Sequence, residues 1–118
     1  MPLNKAMMIT PEMRQAEAMQ AAVETYRKAI QVLIDGKAQE KQYDDGNSLA
    51  SYVNSTVPEW AAEAQAFVVW RDQVWAYALA ELAKVQAGER EQPSVEHFLA
   101  ELPAFEWSDL YQMISGEI

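Results

Sequence analysis

The sequence predicts an all-α fold, and three observations predict it. Between Pro58 and Gly88 no glycine or proline interrupts the chain. An upstream run spaces its apolar residues by threes and fours, the signature of one helix face. Nowhere does an apolar/polar alternation of period two continue far enough to mark a convincing strand.

The first of these stretches organises the rest. Pro58 to Val85 holds three of the four tryptophans, Trp60, Trp70 and Trp75. Thr56 and Glu59 stand three residues apart, the spacing of a capping box, with Pro58 in the first turn where its missing N–H costs nothing. Gly88 suits the left-handed position after a helix end. A helix over 57–87 is expected, about 43 Å long at 1.5 Å per residue. At 100° per residue, Trp60, Ala64, Phe67, Val68, Val74, Trp75, Ala78, Leu79, Leu82 and Val85 share one broad face. This is the expected core surface, with Trp60 and Trp75 as structural members; each large side chain contributes ~1.5–3 kcal/mol when fully buried.

Arg71 interrupts that face. A buried guanidinium needs a partner, and Asp72 is a poor one because adjacent helix positions do not face each other. Asp44 or Asp45 is the expected partner, which gives Arg71 and Asp44 structural roles. Trp70 and Tyr77 form a second aromatic stripe, turned by about 90° and set among Glu63, Glu81 and Lys84. Either another helix covers this stripe, or it is a partner-binding hot spot, where Trp, Tyr and Arg dominate.

The remaining elements follow from caps and breaks. Residues 1–9 read as an apolar N-terminal arm, and residues 10–118 as a single helical domain. Thr10 as N-cap and Pro11 at the first position open a helix expected over 10–35, with Gly36 as its stop. Within it Ala16, Met19, Val23, Tyr26, Ile30 and Leu33 form a heptad seam. That seam packs on the long helix, or else supports a homo-oligomer through residues 16–33. Lys37 to Gln42 is a polar connector and Tyr43 to Asn47 a tight turn. Asn47 or Ser48 caps a short helix near 48–54. Ser94 caps another near 94–102, stopped by Pro103. Ala104 to Trp107 is an extended apolar clip, whose Phe105 and Trp107 join Trp70 and Tyr77 as expected partner-binding residues. A last short helix is expected near 108–114.

Composition narrows the chemistry. The chain has no cysteine, so disulfides, thiolate metal sites and cysteine nucleophiles are excluded. His97 is the single histidine, too few for a transition-metal site or a serine triad. Asp44/Asp45 and Glu89/Glu91 are paired carboxylates in polar loops, where nothing would tune them for catalysis. No enzyme, cofactor or metal site is expected. Residues 1–43 carry six Lys/Arg against five Asp/Glu, whereas residues 44–118 carry three against thirteen. Such an acidic body repels phosphate backbones, so no nucleic-acid partner is expected. No membrane span or signal peptide is expected either, and the predicted compartment is a reducing cytoplasm.

One pattern goes further. Tyr43-Asp44, Ser48, Ser51-Tyr52, Pro58, Glu63-Ala64, Trp70-Arg71-Asp72, Val74-Trp75, Gly88, Arg90, Pro93, Leu102-Pro103 and Trp107 stand in order. This resembles a group of small proteins or C-terminal segments encoded beside tail-fibre genes in tailed phages and prophages. In that group a YD-S…SY segment precedes a P-x-x-AAE-A…WRD-VW helix, a Q-A-G-x-R-x-Q-P loop and an LAELP…W ending. The likeness covers about half the chain. The helix over 10–35 lies outside it, as do the residues after Trp107. It implies a tail-associated protein without catalysis, either a fibre-assembly chaperone or a minor tail or fibre component. Its partner would be the tail fibre or another tail protein, in the host cytoplasm during assembly or in the virion tail. A different reading rests on charge: an acidic phage-encoded inhibitor of a basic host nuclease or DNA-binding protein, its carboxylates spaced like phosphates.

Overall fold

The computed structural model describes residues 9–108, which form four helices and no strand. These are α1 (Pro11–Gln39), α2 (Gly46–Ala50), α3 (Pro58–Gln86) and α4 (Val95–Glu101). The all-α expectation with two long helices holds. The expected helix near 108–114 beyond Ser108, and all of the N-terminal arm except Ile9, lie outside the described residues.

α1 starts as its local chemistry dictates: the Thr10 hydroxyl oxygen accepts the Met13 amide at 3.1 Å, ahead of Pro11. Its end corrects the sequence reading. The helix passes through Gly36 and continues to Gln39. A mid-helix glycine costs about 1 kcal/mol, and tertiary contacts outweigh that. Ile34 and Ala38 on either side of Gly36 are buried, and the Lys37 carbonyl accepts the Trp107 indole N–H. The stop lies at Gln42, which takes a left-handed φ of 69°. There the Tyr43 amide reaches the Ala38 carbonyl and the Gln42 amide the Gln39 carbonyl, the paired bonds of a Schellman ending. Gly88 ends α3 in the same way, at φ 76°, with Glu89 bonded to Lys84 and Gly88 to Val85.

Two further caps differ from expectation. Asp45, not Asn47 or Ser48, starts α2, its carboxylate accepting the Ser48 amide at 2.8 Å. At α3 the Thr56–Glu59 box is not made: the N-cap is Val57, without a side-chain bond, and Ser55 Oγ takes the Val57 amide at 3.1 Å. Pro58 in the first turn and the packing of the following residues are enough to start the helix. Ser94 caps α4 through the His97 amide at 3.1 Å, as expected.

The long helices run in opposite directions. Ile34 and Phe67 meet at Gly46, while Ala16 and Met19 share a recess with Val85 and Gly88. Tyr26, Ile30, Ile34 and Ala38 of α1 face Ala64, Phe67, Trp70, Val74, Ala78 and Leu82 of α3, with Leu49 and Phe98 filling the remaining space. The heptad seam is therefore spent inside one chain from Tyr26 onward, the ordinary reading of that helix. Leu33 drops out at 37% exposure, and Ile34 takes its place.

On α3 the buried face is turned from the expected one. Trp60 is 46% exposed and Leu79 57% exposed, whereas Glu63 and Trp70 are buried. Trp60 is thus not a core residue; Trp75 is partly buried and packs against the core cluster. The rotation has a cause: α4 and residues 103–107 cover the Trp70/Tyr77 side, which periodicity alone had left bare.

The glycines give a test with opposite signs. A Cβ at Gly36 meets nothing within 4 Å, whereas one at Gly46 meets Asp35, Ile34 and Phe67 side-chain atoms each at 3.2 Å. Gly36→Ala should stabilise the protein by ~0.5–1 kcal/mol. Gly46→Ala should destabilise it by ~1–3 kcal/mol. Urea unfolding followed by circular dichroism checks both; a destabilising Gly36→Ala would restore the helix stop there.

Candidate functional site

Three of the four residues expected to meet a partner are stacked on one another. Trp70 and Phe105 stack with centroids 5.6 Å apart, and Phe105 meets Trp107 edge-on at 4.9 Å. Trp70 Nε1 donates to the Pro103 carbonyl at 2.7 Å, and Trp107 Nε1 to the Lys37 carbonyl at 3.1 Å. Trp70 is 4% exposed and Trp107 7%. The clip over 104–107 exists, but it closes this chain. The structure does not present these two indoles as a surface, and Phe105 is half-buried between them.

Tyr77 is half-buried beside Phe98, and its hydroxyl donates to Glu101 at 2.8 Å. Arg90 bridges from the loop to Glu81 at 2.8 Å and to Glu101. Lys84 adds a second cation on Glu81, at 2.8 Å. Each partner shifts its neighbour: Lys84 and Arg90 hold the Glu81 carboxyl below its usual range. Arg90 and Tyr77 do the same for Glu101, whose carboxylate in turn raises the Tyr77 phenol. The cluster pins the 88–93 loop and α4 to α3. It is a structural network on the surface side of the core.

Arg71 corrects another expectation. Its guanidinium bonds to Asp72, through Nε at 3.1 Å and NH2 at 3.0 Å, and Asp44 is not its partner. The Arg71 side chain is only partly buried, 31% exposed, so it bends outward beside its neighbour without a desolvated ion pair. Asp44 contributes its carbonyl, which accepts Gln39 Nε2 at 3.1 Å.

The open site lies elsewhere, where the tight turn, the end of α2 and the start of α3 converge. Lys41, Gln42, Tyr43, Tyr52, Glu59, Trp60 and Glu63 enclose a recess of about 440 Å³. Tyr43 and Tyr52 meet at 5.5 Å, and Tyr52 meets Trp60 edge-on at 5.8 Å. Trp60 and Tyr52 are exposed, a large indole and a phenol facing solvent side by side. Beneath them Glu63 is buried, accepting the Tyr43 hydroxyl at 3.0 Å, with the Lys41 ammonium 3.9 Å away. Lys41 also lies over the Trp107 ring, 5.6 Å from its centroid. Burial, the Glu63 hydrogen bond and negative charge from Glu63 and Glu59 push the Tyr43 phenol up to about 12.

Sequence reasoning missed this site. It placed Tyr52 within the short helix near 48–54 and Trp60 in the core. The available signal was their proximity in sequence across the α2–α3 turn, together with a carboxylate one residue before and three after Trp60. A second groove of about 430 Å³ runs between α1 and the clip, lined in part by Val32, Leu33, Leu99 and Phe105 and by Lys37, Glu40 and Glu106. Val32 there is 71% exposed.

Among the described residues no group of three or more His, Cys, Asp or Glu is placed to hold a metal ion, and none of their helices is long and apolar enough to cross a membrane. No protein-family model, curated protein or solved structure matches this chain.

Two tests follow from this division of the aromatics. Trp70→Ala should cost ~3–5 kcal/mol of stability, and Trp60→Ala less than about 1 kcal/mol; chemical unfolding of the two variants checks the contrast. The Tyr43 shift has a definite sign. Its folded pKa exceeds the unfolded value of about 10, so its stabilisation is complete below that pH and is lost as pH rises through about 12. Phenolate absorbance of the native protein minus that of Tyr43→Phe should show one late-titrating group. Loss of that group near pH 10 would contradict the buried hydrogen bond.

Proposed function

We propose that this chain is a non-enzymatic helical interaction protein acting on the tail fibre or a neighbouring tail protein of a tailed phage. Its role is that of a fibre-assembly chaperone or a minor tail component. The observation that carries the interaction reading is the Tyr52–Trp60 pair, two large aromatic side chains exposed together over a carboxylate-lined recess. Large aromatics dominate binding hot spots because they bury much area at little entropic cost. The phage assignment rests on the resemblance over Tyr43 to Trp107. Five residues of that pattern have structural duties here: Trp70, Pro103 and Trp107 close the clip, Arg90 clamps Glu81 and Glu101, and the Pro93 carbonyl accepts the Tyr26 hydroxyl. Those residues act as a fold signature, and Tyr52 is the exposed aromatic of the pattern.

The reading places the protein in the host cytoplasm during assembly, or in the finished tail. Co-expression with the tail-fibre protein should yield a complex that co-purifies and persists at high salt. The double variant Tyr52→Ala/Trp60→Ala should reduce the recovered fibre protein several-fold while the helical spectrum is unchanged. Absence of any tail protein from the purified sample would defeat the proposal. A complex with a host nuclease that dissolves with added salt would instead favour the acidic inhibitor.

A further inference from the structure

We propose that the recess bounded by Tyr43, Tyr52 and Trp60 is a receptor for the guanidinium of an arginine side chain on a partner polypeptide. This deepens the interaction reading above by naming the chemistry that the partner must present.

The recess has the two features that a guanidinium needs. The first is aromatic surface. Tyr43, Tyr52 and Trp60 stand in a row, with neighbouring ring centroids 5.5 and 5.8 Å apart, and the last two are exposed. A planar cation gains by lying against such rings, more so when partly desolvated. The second is negative charge. Glu59 and Glu63 both line the recess. Glu59 is exposed at its rim, and Glu63 is buried at its floor.

Among the described residues that line the recess, the carboxylates of Glu59 and Glu63 outnumber the one ammonium, that of Lys41, within a chain whose formal charge is −9.

Lys41 sharpens the assignment. Its ammonium lies toward Glu63 and the Trp107 ring, which places a cation at the deep end of the recess. The Tyr52–Trp60 side, beside Glu59, remains open to solvent. A flat, delocalised cation can slide between indole and carboxylate there and donate to Glu59 along one edge. An apolar side chain would leave that carboxylate partly desolvated without a donor. A lysine ammonium would stay more strongly hydrated.

The test uses the intact chain and two short capped peptides, glycine–arginine–glycine and its citrulline counterpart, which keeps the shape and removes the charge. Binding is read from the indole N–H resonance of Trp60, assigned by its disappearance in Trp60→Phe. The arginine peptide should shift this signal saturably, and the citrulline peptide at the same concentration at least fivefold less. Glu59→Gln should weaken the arginine peptide at least threefold. Lys41→Met should strengthen it at least twofold, because a competing positive charge is removed; the opposite change would show that Lys41 builds the site rather than opposes the ligand, and would overturn this charge account. Equal shifts from the two peptides, no shift from either, or tighter binding of a lysine counterpart would also overturn it. The outcome is separable from that of the tail-protein reading. A peptide that binds while no tail protein co-purifies keeps the receptor and removes the phage partner. Co-purification without peptide binding does the reverse.

Discussion

Two indole N–H groups hold this fold closed. A helical pair leaves one side of each apolar face open, and a buried indole N–H without an acceptor would cost about 1–3 kcal/mol. Residues 103–107 answer both needs together. Their backbone supplies the acceptor for Trp70, and their own Trp107 finds an acceptor on α1 at Lys37. Phe105 fills the gap between the two rings. One short extended segment thereby ties the two long helices to each other. The continuation of α1 through Gly36 follows from the same closure, because the carbonyl that Trp107 needs lies one residue beyond that glycine.

The surface charge is organised around this closure. Arg90 is shared between Glu81 of α3 and Glu101 of α4, and Tyr77 completes the bridge. These groups fasten the 88–93 loop across the covered side of α3. The opposite end of α3 is left with a different arrangement: carboxylates, a lysine and three aromatic rings around an open recess. The structure therefore separates aromatics that close the fold from aromatics that face water. The proposed function depends on that separation.

The sequence made local chemistry legible and left long-range cover illegible. Thr10, Ser94 and Gly88 announced their caps because each acts within four or five residues. Pro103 announced the end of α4 for the same reason. Gly36 misled because its local cost is small beside the burial of Ile34 and Ala38. At the other two starts a local rival won: Asp45 takes the Ser48 amide, and Ser55 the Val57 amide in place of the Thr56–Glu59 box. Trp70 was identified as set apart from the main apolar face, but its cover comes from Pro103, 33 residues away. Arg71 looked buried only because the face was centred too far round the helix; once turned, Asp72 suffices as its partner. The recess went unread because Tyr43, Tyr52 and Trp60 come from three separate local structures, although Tyr52 and Trp60 stand close in sequence.

The division between closing and exposed aromatics can be measured directly, one indole at a time. Hydrogen–deuterium exchange of the tryptophan Nε1–H groups, resolved by NMR, reports whether each is held by an internal acceptor. The account predicts that the Trp70 and Trp107 protons exchange orders of magnitude more slowly than that of Trp60. Fast exchange at Trp70 and Trp107, matching Trp60, would contradict the closure on which everything else rests.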